Sequence, residues 1–269
     1  ALSEDEKTIL EKAGAGGSRP LKNGELGYVA GKTGDENAIR KAAAFLYKTA
    51  KNYSYNVVNI NFSASNSNIE NNRLAEIFSD ALFMSDYKYD LFKKDESIAL
   101  EEVVIHLDIS DKDAENILQK NAVITKGVNL VRDMVNAPAN IMTIDKFEET
   151  AKNACNECGL TVNVLDKKTL TEKGMNLLLA VGQAGIQEPR MLEIVYRGNP
   201  DEKMNFIVGK GIVFDSGGMN LKPGNSLNDM KMDMAGAATA LGIITTAANL
   251  KLSCNITALL PLAENAVDC

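Results

Sequence analysis

The sequence predicts an α/β protein made of two layered regions joined by one long helix. Three observations carry this. Residues 24–109 alternate between short β-branched runs and amphipathic helical stretches, the pattern of an α/β layer domain. Residues 110–136 form one unbroken helical pattern. Residues 137–269 then resume the alternation, with aliphatic runs that alternate little with polar residues, as in strands covered on both faces of a mostly parallel sheet.

The elements follow in order. The start, ALSEDEKTILEK, is polar and acidic and has no signal-peptide core. It also lacks an initiator Met, which suggests a trimmed or processed chain. AGAGGSRPLKNG is glycine-rich and expected to be a loop. ELGYVAG is a short strand candidate. DENAIRKAAAFLYKTAKNY is an amphipathic helix with Asp35 placed to cap it. YNVVNINFS is a strand, SASNSNIENN a turn and helix start, NIENNRLAEIFSDALFMSDY a helix, and EEVVIHLDI a strand. Ser110 or Asp111 can cap the long helix. Pro138 in NAPAN ends it, since proline lacks the donor and restricts the residue before it.

Beyond it, TIDKFEETAKNACNECG is helical with Gly159 as its stop. LTVNVLD is a strand and KKTLTEKGM a short helix. NLLLAVGQA, RMLEIVYRG and FIVGKGIVF are strand-like runs, the last ending at Asp215. DMAGAATALGIITTAANL is a buried helix of small residues, opened by Asp233, and SCNITALLPLAEN a buried strand.

Composition bounds the function. The 269 residues are 45 % hydrophobic and 24 % charged, ordinary for a globular protein with a sizeable core. A net charge of −7 and a pI near 5.0 argue against a nucleic-acid partner. No apolar run is long enough to span a membrane. The four cysteines suit a reducing compartment. Cys155 and Cys158 form a lone CxxC on a helix, with no second pair or neighbouring histidine to complete a metal cage. His106 is the sole histidine, so this chain cannot by itself build a histidine zinc site or a Ser-His-Asp triad.

The candidate site lies in residues 207–239, IVGKGIVFDSGGMNLKPGNSLNDMKMDMAGAAT. Lys210, Asp215, Lys222 and Asp233 fall where a buried strand turns into loops. Charge there is costly unless it is paired or metal-bound. Sites in open α/β sheets gather at the carboxyl ends of strands, and Gly217 and Gly218 permit close backbone approach. From the spacing, three uses stay open: a divalent-metal site built from two aspartates and a neutral lysine amine, plain ion pairing, or anion binding. The phosphate-loop spacing GxxxxGK[ST] is absent, because Gly211 follows Lys210.

GKGIVFDSGGMNLKPGNSLNDMKMDMAGAATALG closely resembles the signature region of the leucyl aminopeptidases, hexameric two-metal cytosolic exopeptidases. The similarity extends upstream through VRDMVNAPANIMT, LTVNVLDKKTLTEKGMNLLLAVGQA and EPRMLEIVYRG, and downstream into LLPLAENAV. It implies a macro-like N-terminal α/β accessory domain over residues 1–109, with its start incomplete. A connecting helix over 110–136 would follow, then the first part of a mixed-sheet α/β/α two-metal exopeptidase domain over 137–269.

By position, the resemblance makes Lys210 and Asp233 ligands of the second metal and Asp215 the carboxylate bridging both. Lys222 becomes the catalytic lysine that polarises the peptide carbonyl. Met230, with Lys222 and Asp215, lines the substrate site. The implied cofactors are two divalent ions (zinc, manganese or magnesium), with bicarbonate in the complete enzyme. The implied partners are peptides with a free N-terminus and, at full length, a homo-hexamer; the implied location is cytoplasmic. No nucleic acid and no membrane are expected. In the family an Asn-Thr-Asp-Ala-Glu-Gly-Arg segment supplies further ligands and the arginine for bicarbonate, and Cys269 is reached before it. The expectation is therefore a portion of a longer enzyme, inactive alone. The alternative is a non-catalytic relative acting through assembly or binding.

Overall fold

The computed structural model describes residues 18–20, 26–28, 35–53, 55–61, 69–92 and 100–267. The acidic start, most of AGAGGSRPLKNG and the SASNSN turn lie outside the described residues. Two compact units make up the chain, Ala1–Thr125 and Lys126–Cys269.

In the first unit, β1 (Ser18–Pro20) pairs antiparallel with β2 (Leu26–Tyr28). Residues 18–20 are thus strand, where the glycine-rich composition predicts loop. Helix α1 (Glu36–Asn52) starts as its sequence dictates: the Asp35 carboxylate accepts from the Asn37 N–H at 2.9 Å, a cap worth about 1 kcal/mol. Strand β3 (Val57–Asn61), helix α2 (Asn71–Ser85) and strand β4 (Glu102–His106) form a β–α–β unit. Its strands pair parallel from Val57↔Glu102 to Asn61↔His106. The core gathers where Ile39 and Tyr47 of α1 meet Leu74, Ile77 and Phe78 of α2 over Ile60 of β3. His106 ends its strand hydrogen-bonded to Asn59 Oδ1 at 3.1 Å, the position of an ordinary strand residue.

Helix α3 (Asp111–Asn136) runs across the division between the units. Ser110 caps it: its Oγ accepts from the Asp113 N–H at 3.1 Å and donates to Asp113 Oδ2 at 2.7 Å. The Asp113 carboxylate thus holds the capping hydroxyl in place.

In the second unit, α4 (Ile144–Glu157) is capped by Thr143 and left at Gly159, whose φ of 74° is the left-handed stop a glycine allows. Its Cys155 and Cys158 are free thiols. Burial pushes Cys155 up to about 12 and also raises Cys158, so neither offers a reactive thiolate. Strand β5 (Val162–Leu165) and helix α5 (Lys167–Glu172) follow.

Residues 176–181 correct the sequence reading. They form a helix, α6 (Asn176–Val181), and not a strand. A five-residue apolar run has no periodicity to separate the two states. Here Leu178 and Leu179 pack against Leu165, Leu170 and Met191 while Leu177 is exposed.

The sheet places β5, β6 (Arg190–Arg197) and β9 (Asn255–Asn265) side by side, antiparallel to one another. Strands β7 (Met204–Val208) and β8 (Gly211–Asp215) both lie parallel to the other edge of β9. The sheet is therefore mixed, and the mostly parallel expectation fails on its β5–β6–β9 half. Helix α7 (Ala235–Asn249) packs on it through Ala237, Leu241 and Ile244, all fully buried.

Candidate active site

FIVGKGIVF is not one strand. Val208 faces Leu259 and Gly211 faces Leu262, so β7 and β8 keep one register and form a single line with a gap at Gly209 and Lys210. The Gly209 N–H donates to the Leu259 carbonyl at 3.0 Å, so in this parallel register it is the Gly209 carbonyl that faces Pro261, which has no N–H to give. The Lys210 carbonyl points the other way, to helix α7, and accepts from the Ala237 N–H at 2.8 Å. The contact demands small residues. A Cβ on Gly209 would lie 2.4 Å from the Gly236 carbonyl oxygen, and one on Gly236 would lie 2.9 Å from Lys210 N. The gap thus puts a lysine at the N-terminal end of a helix, where the segment before the helix carries Asp233.

A second irregularity presents Asp215. The register slips between Ile212 and Asp215, so that Asp215 faces Asn265 at the end of β9. Such bulges re-aim side chains. Gly217 and Gly218 then adopt φ of 92° and 64°, and the Lys222 N–H donates to the Ser216 carbonyl at 2.9 Å. The loop closes, and Lys222 comes back over Asp215.

The four charged residues form two ion pairs. Lys222 Nζ lies 2.6 Å from Asp215 Oδ2, and Lys210 Nζ lies 2.7 Å from Asp233 Oδ2 and 2.8 Å from Oδ1. Both aspartates are largely covered, while the Lys210 side chain is 58 % exposed. Met230 sits on the short 3₁₀ turn Met230–Met232, and its Sδ lies 2.8 Å from Lys222 Nζ. That turn packs against β8, which brings the two pairs onto neighbouring elements. Asp233 falls between this turn and α7, preceding the Met234 that caps the helix. It is one residue further out than the sequence suggests.

Partial burial raises the Asp215 carboxyl, but the Lys222 ammonium, the Gly217 N–H and the Asn265 amide together outweigh it. The net result is a carboxyl held below the ordinary carboxylate range. It is ionised at neutral pH.

The donor set suits part of a divalent-metal shell. Carboxylate oxygens and a neutral amine are ordinary ligands. Asp233 Oδ2 is buried, and although Lys210 Nζ is near it, only Oδ1 has that donor aligned for a hydrogen bond. An acceptor with unused lone pairs remains. Lysine coordinates only after losing its proton, which a neighbouring cation promotes. Among the described residues no group of three or more His, Cys, Asp or Glu gathers. Two carboxylates and one amine are thus what this chain's candidates offer.

One residue escaped the sequence reading. Asn265 Nδ2 donates to Asp215 Oδ1 at 2.6 Å. Pro261 inside a buried strand was the available signal that the neighbouring line must break there.

Residues 129–269 match the catalytic domain of the cytosol aminopeptidase family. A probable cytosol aminopeptidase of Syntrophotalea carbinolica is 33 % identical over 273 residues, covering 98 % of this chain and 54 % of the relative. One of Chlamydia muridarum is 41 % identical over 185 residues, covering 68 % of this chain and 37 % of the relative. Among solved structures, the bottromycin maturation enzyme BotP in complex with Mn is similar with a TM-score of 0.84 and 27 % identity. That match covers all of this chain and 58 % of BotP. The chain spans about half the length, or less, of these curated relatives. With the match covering more than half of its residues, the chain belongs to the cytosol aminopeptidase family.

Proposed function

We propose that the protein acts as a metal-dependent aminopeptidase, releasing leucine and similar N-terminal residues from peptides. The observation that carries this reading is the pairing of Lys222 with Asp215 beside Lys210 with Asp233, inside the segment that matches the family's catalytic domain. Lys210, Asp215 and Asp233 would hold two divalent ions of zinc, manganese or magnesium, with the remaining donors supplied from elsewhere in the complete protein. When bound, such ions lower the pKa of water and polarise a carbonyl.

The chain's own residues account for the rest. Asp215, ionised and doubly hydrogen-bonded at Oδ1, presents Oδ2 as a fixed anionic acceptor. Lys222 Nζ lies 2.6 Å from that carboxylate. Moved onto a substrate carbonyl oxygen, it stabilises negative charge that develops only as the carbonyl is attacked. The Met230 thioether beside Lys222 offers a polarizable apolar wall for the N-terminal side chain. Homo-hexameric assembly and a cytoplasmic location belong to the same proposal and rest on the family resemblance.

The test is hydrolysis of leucine anilide by the full-length protein, titrated separately with zinc, manganese, cobalt and magnesium. An N-acetylated substrate serves as control. The expected result is metal-dependent release from the free-amine substrate alone. Inactivity with all four metals would leave the non-catalytic reading in its place.

A further inference from the structure

We propose that Asn265 is a positioning residue that selects which oxygen of Asp215 faces the reaction. A carboxylate on a strand end turns readily about its last torsion, which is broad and two-fold. Here it is pinned. Asp215 Oδ1 accepts from Asn265 Nδ2 at 2.6 Å and from the Gly217 N–H at 3.0 Å, so its capacity is committed. Oδ2 alone is left to meet Lys222 Nζ, at 2.6 Å.

Asn265 is itself held on two sides. Its carbonyl accepts from the Ser216 N–H at 2.9 Å and from Ser216 Oγ at 2.6 Å. Its own Oδ1 lies under Gly218, where a Cβ would come within 2.8 Å of it. The amide therefore has one way to sit. Its NH₂ faces the carboxylate, the only partner there that needs a donor, and its oxygen fills the space that Gly218 vacates. The bulge that makes Asp215 and Asn265 register partners aligns the pair. Asn265 touches none of the reacting atoms and acts through Asp215. The inference rests on the proposed role of Asp215 as a metal ligand, and groups that orient ligands in this way typically govern metal affinity.

The experiment uses the full-length protein with Asn265→Leu, which keeps the branched shape and removes the donor, and the smaller Asn265→Ser as a second variant. Circular dichroism checks the fold, and calorimetry reads the affinity for Mn²⁺. The expected result is a folded protein that binds Mn²⁺ roughly 10- to 100-fold more weakly, the usual cost of losing a ligand-orienting partner. A folded variant with wild-type affinity would overturn the proposal. So would loss of the fold in both variants, since a residue acting only through Asp215 is dispensable for folding.

A metal-free readout separates this inference from the function it rests on. Thermal midpoints are compared for Asp215→Ala, Asn265→Leu and the double variant. Non-additive losses support the pairing, and additive losses overturn it. If the wild-type protein takes up no Mn²⁺, the metal reading of Asp215 fails on its own account, and this cycle alone decides the role of Asn265.

Discussion

In the N-terminal unit, Arg73 reaches Glu36 and Glu76 at 2.6 Å each, and Lys120 reaches the other oxygen of Glu76 at 2.6 Å. In the C-terminal unit, Lys222 holds Asp215 at 2.6 Å and Lys210 spans the carboxylate of Asp233. The chemical pairing is the same and the settings are opposite. Glu76 is shared between two cations, and Glu36 is likewise shared between Arg73 and Arg40. These charges stand on regular helices, α1, α2 and α3, with partly exposed side chains. They staple one helix to the next, and exposed pairs of this kind contribute little, about 0–1 kcal/mol. The strand-end pairs are one-to-one and stand on backbone that has left its regular path: a gap opposite Pro261, a bulge at Asp215, two glycines at positive φ. Acceptor capacity is left over at Asp233 Oδ2. Irregular backbone and uncommitted lone pairs distinguish a pair that can be exchanged for a ligand from one that only holds.

The sharpest way to break this contrast is Lys222→Ala. On the proposed function this removes a donor used only in the transition state, so kcat should fall by about 10²–10³ with KM near its original value. Steady-state kinetics on leucine anilide measure it, and a near-normal kcat would reduce the Lys222 pair to another staple.

Gly217→Ala probes the backbone. A side chain at φ 92° meets the Asn220 carbonyl oxygen 2.4 Å from its Cβ, so thermal unfolding should show a loss of about 1–3 kcal/mol. An unchanged melting temperature would mean that the turn is relaxed. Lys210→Ala tests exchangeability. Metal affinity should fall at least tenfold, on the order seen when even an outer partner is lost, and activity should return in excess metal. A defect that metal does not repair would assign Lys210 to structure.

The smallest effect is expected at the staples. Lys120→Met should cost less than about 1 kcal/mol, and less still in high salt. Glu76 sharpens the point through pH. Its hydrogen bonds with Lys120 and then Arg73 hold its carboxyl below the ordinary glutamate range. With the folded value depressed, the stabilisation is present above the unfolded value of about 4.3. It fades as pH falls from there through the folded value. Glu76→Gln should therefore flatten the acid limb of the stability profile. An unaltered limb would show that the network contributes nothing.

What was legible in the sequence was local. Asp35, Ser110 and Gly159 mark helix ends because a cap or stop is a hydrogen bond or a backbone angle within a few residues. The four charged candidates were legible because they crowd into one short stretch and match a family signature. The illegible parts each required a partner far along the chain. NLLLAV became a helix because its leucines found Leu165, Leu170 and Met191. FIVGKGIVF was split because Pro261 and Gly236 came to lie against it.

The sequence by itself determined most of the helices and strands and their order, the acidic balance of the chain and the identity of the charged groups at the strand end. Only the tertiary structure decided which lysine meets which aspartate, and that Asn265 holds one of them. The Asn265 contact depends on sheet register across some fifty residues. A one-residue slip there redirects every side chain to the opposite face.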